Sequence, residues 1–361
     1  MILTPTKLDL PILRAPHWPA YDRAIWEAEI TNVGWFDDGG RLARYPQRRI
    51  RIFESAYGRW LGFLRVYFPD LALVSGLDHF GRDQVVAYYE CLHAVLAPCT
   101  VRAYITDLLT VVRAMAPVQS FEALHNAARH IWRTAEPVTD KYASLVPARD
   151  LFSLGFDLMR DAPELSTELK RASQYLDGLM IALLIAVPVR LGNFTSIEID
   201  RHLLKKNDDY WLVFPGAEVK NRRPLEYRLP TSLYQPIETY LEQHRPHLLA
   251  RRGRFHDGDP GNALWISEHG TALKTSQIRE RIKRRTRERF GFPVIPHRFR
   301  DCAATSIAIE DPEHVGIIMT ALGHAYAKTG EQIYNQARSL EAARRYQAVI
   351  DGFRNAPGDR P

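Results

Sequence analysis

Residues 172–193 read ASQYLDGLMIALLIAVPVRLGN. The apolar pattern opens at Ala172 and becomes unbroken from Leu179 to Val189. A segment apolar on every face belongs in a core or a membrane. This one falls far short of the ~20 residues that span a bilayer, so it predicts a buried helix over Ala172–Val187. Pro188 lacks a donor and marks the break. Arg190 follows at once, where packing of the preceding helix holds the backbone rigid.

Toward the C-terminus, Tyr210–Phe214 reads as a strand and Leu225–Leu229 as a second, with Pro215-Gly216 turning after the first. Leu264-Trp265 suggests a third short piece. Helical spacing resumes over Ser276–Phe290, Arg300–Glu310, Pro312–Leu322, Gly330–Asn335 and Leu340–Phe353. Toward the N-terminus, a helix starts near Asp150, and Pro147 with little periodicity over Lys141–Arg149 marks a linker. Before it, Gln47–Tyr67, a stretch from Gly81 to Leu92, one capped by Thr100, and Phe121–Thr134 predict four helices. The expected organisation is an irregular or partly helical arm (1–44), a helical domain (45–140), a mainly helical second domain with a small β-sheet (150–355) and a polar tail (356–361).

Composition is compatible with this division. The 361 residues suggest two or three domains, and 46% apolar with 25% charged residues can fill their cores. The net charge of +6 is a mild basic bias that suits a nucleic-acid partner without requiring one. Cys91, Cys99 and Cys302 are scattered and odd in number, which argues against a disulfide framework and for a reducing compartment. No zinc-like Cys/His spacing is present, and Met1–Leu10 has no signal-peptide pattern. The expectations are no metal, no cofactor, no membrane association and a cytoplasmic, nucleoid-associated location.

One ordered set of polar residues carries chemistry: Arg190, Lys220, His297, Arg300, His324 and Tyr334. A phosphodiester under attack gathers charge on its non-bridging oxygens, and fixed donors aimed at them are the largest catalytic term. Arginine supplies a planar, permanently charged fork; Arg190 and Arg300 are the candidates. His297 lies three residues before Arg300, one helical turn away. His324 follows Gly323, which permits a sharp helix end. Either histidine can donate to a phosphate oxygen or move a proton. Lys220 lies beyond the first predicted strand, on a hairpin from which it can protonate a departing 5′ oxygen. Tyr334 is a nucleophile once cations favour its phenolate. Taken singly the residues are ordinary. The chain has 16 tyrosines, Tyr326 lies near Tyr334, and His314 is a spare histidine.

In combination these residues resemble the tyrosine recombinase (phage integrase) family. Arg190 in Val187-Pro-Val-Arg190-Leu-Gly-Asn is similar to the first family arginine and Lys220 to its β-hairpin lysine. Pro296-His297-Arg298-Phe299-Arg300 resembles the His-x-x-Arg box, and Leu322-Gly323-His324 the Leu-Gly-His segment, with Tyr334 at the nucleophile's distance beyond it. The resemblance covers about 45 to 355. It implies that 45–140 is a core-binding domain and 150–355 a catalytic domain, and that the two clamp opposite sides of duplex DNA. It also implies cleavage and rejoining through a 3′-phosphotyrosyl intermediate and a Holliday junction. The implied partners are an inverted-repeat-like DNA site, three further copies of the chain acting as a tetramer on two duplexes, and accessory DNA-bending proteins. In solution the chain is compatible with a monomer. One departure stands out: Asn193 occupies the position, three after the first arginine, where the family commonly has an acid. Asp301, beside Arg300, is a candidate either to compensate or simply to cap the helix. The alternative readings are a type IB topoisomerase-like enzyme and an inactive DNA-binding protein on the same scaffold.

The DNA surface is expected at the basic helix Ser276–Phe290, through Arg279, Lys283, Arg284 and Arg287 with Ile278, Ile282 and Phe290 as anchors. So many like charges on one helix repel unless phosphates or carboxylates lie nearby. Arg222 and Arg223 beside Lys220, and Arg48, Arg49, Arg51 and Arg102 in the first domain, are further candidate contacts.

Overall fold

The computed structural model describes residues 10–32, 39–71, 75–136, 138, 145–220, 222–252 and 259–310. The chain divides into two compact units, Met1–Asp140 and Lys141–Pro361.

The described secondary structure of the first unit is helical: α1 (Ala20–Ile30), α2 (Gln47–Tyr67), α3 (Arg82–His93), α4 (Pro98–Met115) and α5 (Glu122–Thr134), with short 3₁₀ turns. Phe53, Tyr57, Trp60 and Leu64 recur at helical spacing on α2, and all are fully buried. Trp60 stacks on Phe80 at 4.4 Å and meets Tyr88 edge-on. The expected Thr100 cap is not the start of α4. Ala97 is the cap residue and Pro98 the first helical one, because its ring already fixes φ near the helical value.

The stretch expected as an arm supplies α1 and part of this core, where Trp18 and Trp26 are buried. Asp22, on α1, is wholly enclosed and accepts three bonds. They come from the Tyr57 hydroxyl at 2.7 Å, the Gly76 amide at 2.9 Å and the Ser75 hydroxyl. Burial, and then the Asp22 carboxylate, hold the Tyr57 phenol well above its ordinary pKa, so it stays a donor.

In the second unit, α6 (Ala148–Asp161) and α7 (Glu168–Ala186) pack through facing glycines. A methyl on Gly178 would lie 2.5 Å from the Gly155 carbonyl oxygen, and one on Gly155 would lie 2.7 Å from that of Gly178. Only glycine permits this approach. The helix expected at 172–187 is α7, starting earlier behind its Thr167 cap and fully buried at Leu176, Leu179, Met180, Ile181, Leu183 and Leu184. A short helix, α8 (Leu191–Thr195), follows the Pro188 break.

The sheet is antiparallel in the order β1 (Leu203–Lys206), β2 (Asp209–Phe214) and β3 (Leu225–Arg228). Asn207 and Asp208 take positive φ between β1 and β2, the pattern of a tight hairpin. The expected piece at Leu264-Trp265 is no strand; its neighbours form only the isolated bridges Glu198–Ala263 and Ile266–Ala272. Beyond the sheet, α9 (Tyr234–Thr239) continues through a π-helical turn (Tyr240–His244) into α10 (Arg245–Leu249). α11 (Thr275–Phe290) ends on left-handed Gly291, and α12 (Pro296–Glu310) is the last described element. α12 starts four residues before the expected Arg300. The helices expected over 312–322, 330–335 and 340–353, and the tail, lie outside the described residues.

Asp22→Ala leaves three buried donors unpaired and is expected to destabilise the first unit by about 3 kcal/mol. A urea titration followed by tryptophan fluorescence checks this; an unchanged midpoint would show that α1 is not held by Asp22.

Candidate active site

The site is built from the end of α7. The helix closes with the Val187 amide on the Leu183 carbonyl, and Val187 and Val189 are both buried. Arg190 is thereby fixed as the N-cap residue of α8, its carbonyl accepting from the Phe194 amide at 2.9 Å. Phe194 is fully buried against Trp265, whose indole donates to the Phe194 carbonyl at 2.7 Å. The backbone of Arg190 therefore sits on a packed floor while its side chain is part-exposed.

Arg300 arrives from α12, whose Phe299, Cys302 and Ala304 lie in the core. It is itself buried, and its Nη1 donates to the Pro188 carbonyl at 2.5 Å. That bond links two residues 112 positions apart and anchors one predicted arginine beside the backbone of the other. Burial, and then the positive charge of Arg190, push the Arg300 guanidinium down to about 10, with Tyr227 and Asp301 opposing. It remains charged near neutrality. Two cations whose fields disfavour one another, one of them largely desolvated, form a site that an anion relieves. Asp301 also accepts from Arg298, three residues earlier on the same helix.

Tyr227, on β3, was not among the expected site residues. It is half-buried within the fields of both arginines; burial raises its phenol pKa, and Arg300 and Arg190 oppose the rise. Nothing in the sequence near 227 marks it. Its placement follows from strand pairing, with Tyr227 opposite the fully buried Leu212.

Lys220 is exposed in the β2–β3 connection, which is longer than a hairpin tip and contains a 3₁₀ turn at Gly216–Glu218. Asn193 Nδ2 donates to the Glu218 carbonyl at 3.1 Å, joining this connection to α8 three residues beyond Arg190. Arg222 and Arg223 are exposed in the same loop, Arg222 at positive φ. His297 is exposed in the first turn of α12, one turn before Arg300. His324 and Tyr334, with Tyr326 and His314, lie outside the described residues. Bonds made by neighbouring residues, Arg300 to Pro188 and Asn193 to Glu218, thus tie the segment around Arg190 to Arg300 and to the loop that carries Lys220.

The basic helix α11 divides into two faces. Ile278 and Ile282 anchor it as expected, while Phe290 is part-buried. Arg281, Arg284 and Arg285 all donate to the buried carboxylate of Asp177, at 2.6, 3.0 and 2.8 Å. Arg281 reaches Glu268 as well. Carboxylates therefore answer much of the helix's self-repulsion. Arg284 is tied to Asp177 though half-exposed. Arg279, Lys283 and Arg287 recur every four residues along another face, where Lys283 pairs with Glu280. In the first unit, Arg49 donates to Asp107 and lies over Phe53, and Arg102 lies over the exposed ring of Trp132. Arg48 and Arg51 line a cleft of about 420 Å³ with Arg14, Arg59 and Tyr104.

No family model and no curated protein matches the sequence. Among solved structures the chain is similar to the XerH site-specific recombinase bound to its difH substrate before cleavage. The TM-score is 0.52 at 14% identity, covering 81% of this chain and 78% of that one. It is likewise similar to XerH on a palindromic difH substrate after cleavage, with a TM-score of 0.54 at 14% identity, covering 81% and 80%. The fold, mainly helical with a small three-stranded sheet, is similar to that of these site-specific recombinases, as the sequence resemblance implied.

Removing the carboxylate in Asp177→Ala strands three guanidiniums around a buried position. The expected cost is about 3–5 kcal/mol, read as a lowered unfolding midpoint. A change within error would mean that α11 docks through its apolar side chains alone.

Proposed function

We propose that this chain is a site-specific recombinase that cuts and rejoins duplex DNA through a covalent bond to Tyr334. The observation that carries the reading is the Arg300–Pro188 bond. It places a desolvated guanidinium beside the backbone of Arg190, within a fold similar to that of XerH. Both forks address the non-bridging oxygens of one phosphate. The Tyr334 oxygen attacks phosphorus, and the bond to the 5′ oxygen breaks. Lys220 supplies the proton that this oxygen needs to leave. His297 and His324 donate to the phosphate or shuttle the phenol proton. The phosphotyrosyl ester keeps the energy of the broken bond, so rejoining requires only attack by a 5′ hydroxyl.

The partners follow from the same reading. They are a duplex carrying inverted repeats, and four copies of the chain on two duplexes, with accessory DNA-bending proteins as further participants. Backbone contacts would come from Arg279, Arg287 and Arg223, and from Arg48 and Arg51 in the first unit, which are all exposed. Among the described residues no helix is long and apolar enough to cross a membrane. Asn193, the departure from the family pattern, does not favour an inactive scaffold. Three residues beyond Arg190 it donates to the Glu218 carbonyl, a bond that an ionised acid could not make.

The test uses a nicked suicide duplex carrying an inverted repeat selected by binding from a random pool. Wild type should accumulate a covalent adduct that Tyr334→Phe abolishes while binding is retained. Arg190→Ala and Arg300→Ala should each slow adduct formation by ~10²–10³-fold with much smaller losses of binding. An adduct that persists in Tyr334→Phe would overturn the nucleophile, and near-normal rates in the arginine variants would overturn the phosphate clamp. Relaxation of supercoiled plasmid by the monomer without a defined site would favour the topoisomerase reading.

A further inference from the structure

Glu218 stands two residues before Lys220 and is held at both its backbone and its side chain. Its carbonyl accepts from Asn193 Nδ2 at 3.1 Å. Its carboxylate bonds His202 Nε2 at 2.7 Å and accepts from Arg201 as well. His202 is buried, and its Nδ1 faces the backbone N–H of Glu198 at 3.0 Å. An amide N–H can only donate, so Nδ1 is the acceptor and the ring proton sits on Nε2, directed at Glu218. The His202 bond, with the Arg201 charge added, holds the Glu218 carboxyl below its ordinary range. The Asn193 orientation is equally fixed by chemistry: its partner is a carbonyl, so the NH₂ end must face it.

The constraints continue past Glu218. Val219 is buried, and its carbonyl accepts from the Arg222 amide at 2.8 Å, closing a turn around Lys220. The exposed lysine therefore rises from a backbone fixed on both sides. Asn193 belongs to α8, which Arg190 caps, so the bond from Asn193 couples the Lys220 loop to the element that carries an arginine. A lysine side chain is long and loses much freedom when it must reach one atom. Fixing its backbone removes part of that cost before substrate arrives. A carboxylate at 193 would offer the Glu218 carbonyl no donor and would set a negative charge against that carbonyl oxygen.

We propose that Asn193, Glu218 and His202 form a clamp that positions Lys220 for protonating the 5′ oxygen, and that the amide at 193 is its required donor. This rests on the cleavage reading above, with Asn193 as a positioning residue and Lys220 as the catalytic one.

The test compares wild type, Asn193→Asp, Lys220→Ala and the double variant on the suicide duplex, with an ordinary or a 5′-bridging phosphorothiolate at the cleavage position. A thiolate leaves without proton help, so a defect confined to Lys220 disappears on that substrate. Asn193→Asp should slow adduct formation on the ordinary duplex by ~10–100-fold, up to the lower end of the ~10²–10⁴-fold span of general-acid effects, because the lysine itself is retained. It should recover on the phosphorothiolate, and the double variant should be no slower than Lys220→Ala. Equal slowing on both substrates, additive effects, or wild-type rates in Asn193→Asp would overturn the clamp. A second arm needs no DNA: tryptic cutting after Lys220 should be faster in Asn193→Asp at an unchanged melting temperature. An unchanged cutting rate also overturns it. A wild type that forms no adduct on either duplex would sink the cleavage reading, while the proteolysis arm still decides the clamp.

Discussion

The bond from the Arg300 guanidinium to the Pro188 carbonyl is the constraint on which the site depends. Proline 188 ends α7 because it cannot continue the hydrogen-bond ladder. The same break leaves its carbonyl turned away from the helix, where α12 can reach it. One residue thus terminates a core helix, exposes an acceptor and sets the start of α8 at Arg190. Desolvating a guanidinium is costly unless its donors are used. This carbonyl uses one, and the neighbouring charge of Arg190 adds to the cationic field at this position.

Rigidity beneath the site comes from ordinary packing. The facing glycines of α6 and α7 bring two backbones together, and the Phe194–Trp265 stack bolts α8 to the floor. α12 also supports the start of α6, where the Ala148 amide donates to the Ser306 hydroxyl at 2.8 Å. The cationic helix α11 is seated by a single buried carboxylate, Asp177, that takes three arginines. Charge is compensated where it meets the core and left exposed on the face through Arg279 and Arg287. For the proposed phosphate-binding role such a division is an advantage, because pre-ordered cations need little reorganisation when a ligand binds.

What the sequence made legible was the part written in local pattern. The apolar run before Pro188 announced a buried helix, and the spacing of His297 and Arg300 announced one helical turn. Features set by partners distant in the chain were not legible. Tyr227 reaches the arginines through strand pairing. Asp177 is one acid in an apolar helix until α11, more than a hundred residues later, folds onto it. β1 escaped notice because Leu203–Lys206 is short and ends in two lysines. The helical run from Tyr234 to Leu249 was hidden by Pro236 and Pro246, which sit in the first turns of α9 and α10. Thr100 misled as a cap because Pro98 is the better first residue. The histidine and tyrosine of the 324–334 stretch were legible as motif, but lie outside the described residues.

The central claim is that two guanidiniums and one phenol address a single phosphate. The most direct measurement is a crystal structure of the chain on a nicked duplex with orthovanadate replacing the scissile phosphate. The account predicts vanadate oxygens hydrogen-bonded to both Arg190 and Arg300, with the Tyr334 oxygen in an axial position. Vanadate bound by only one of these arginines, or an axial oxygen from Tyr227 or Tyr326, would contradict it.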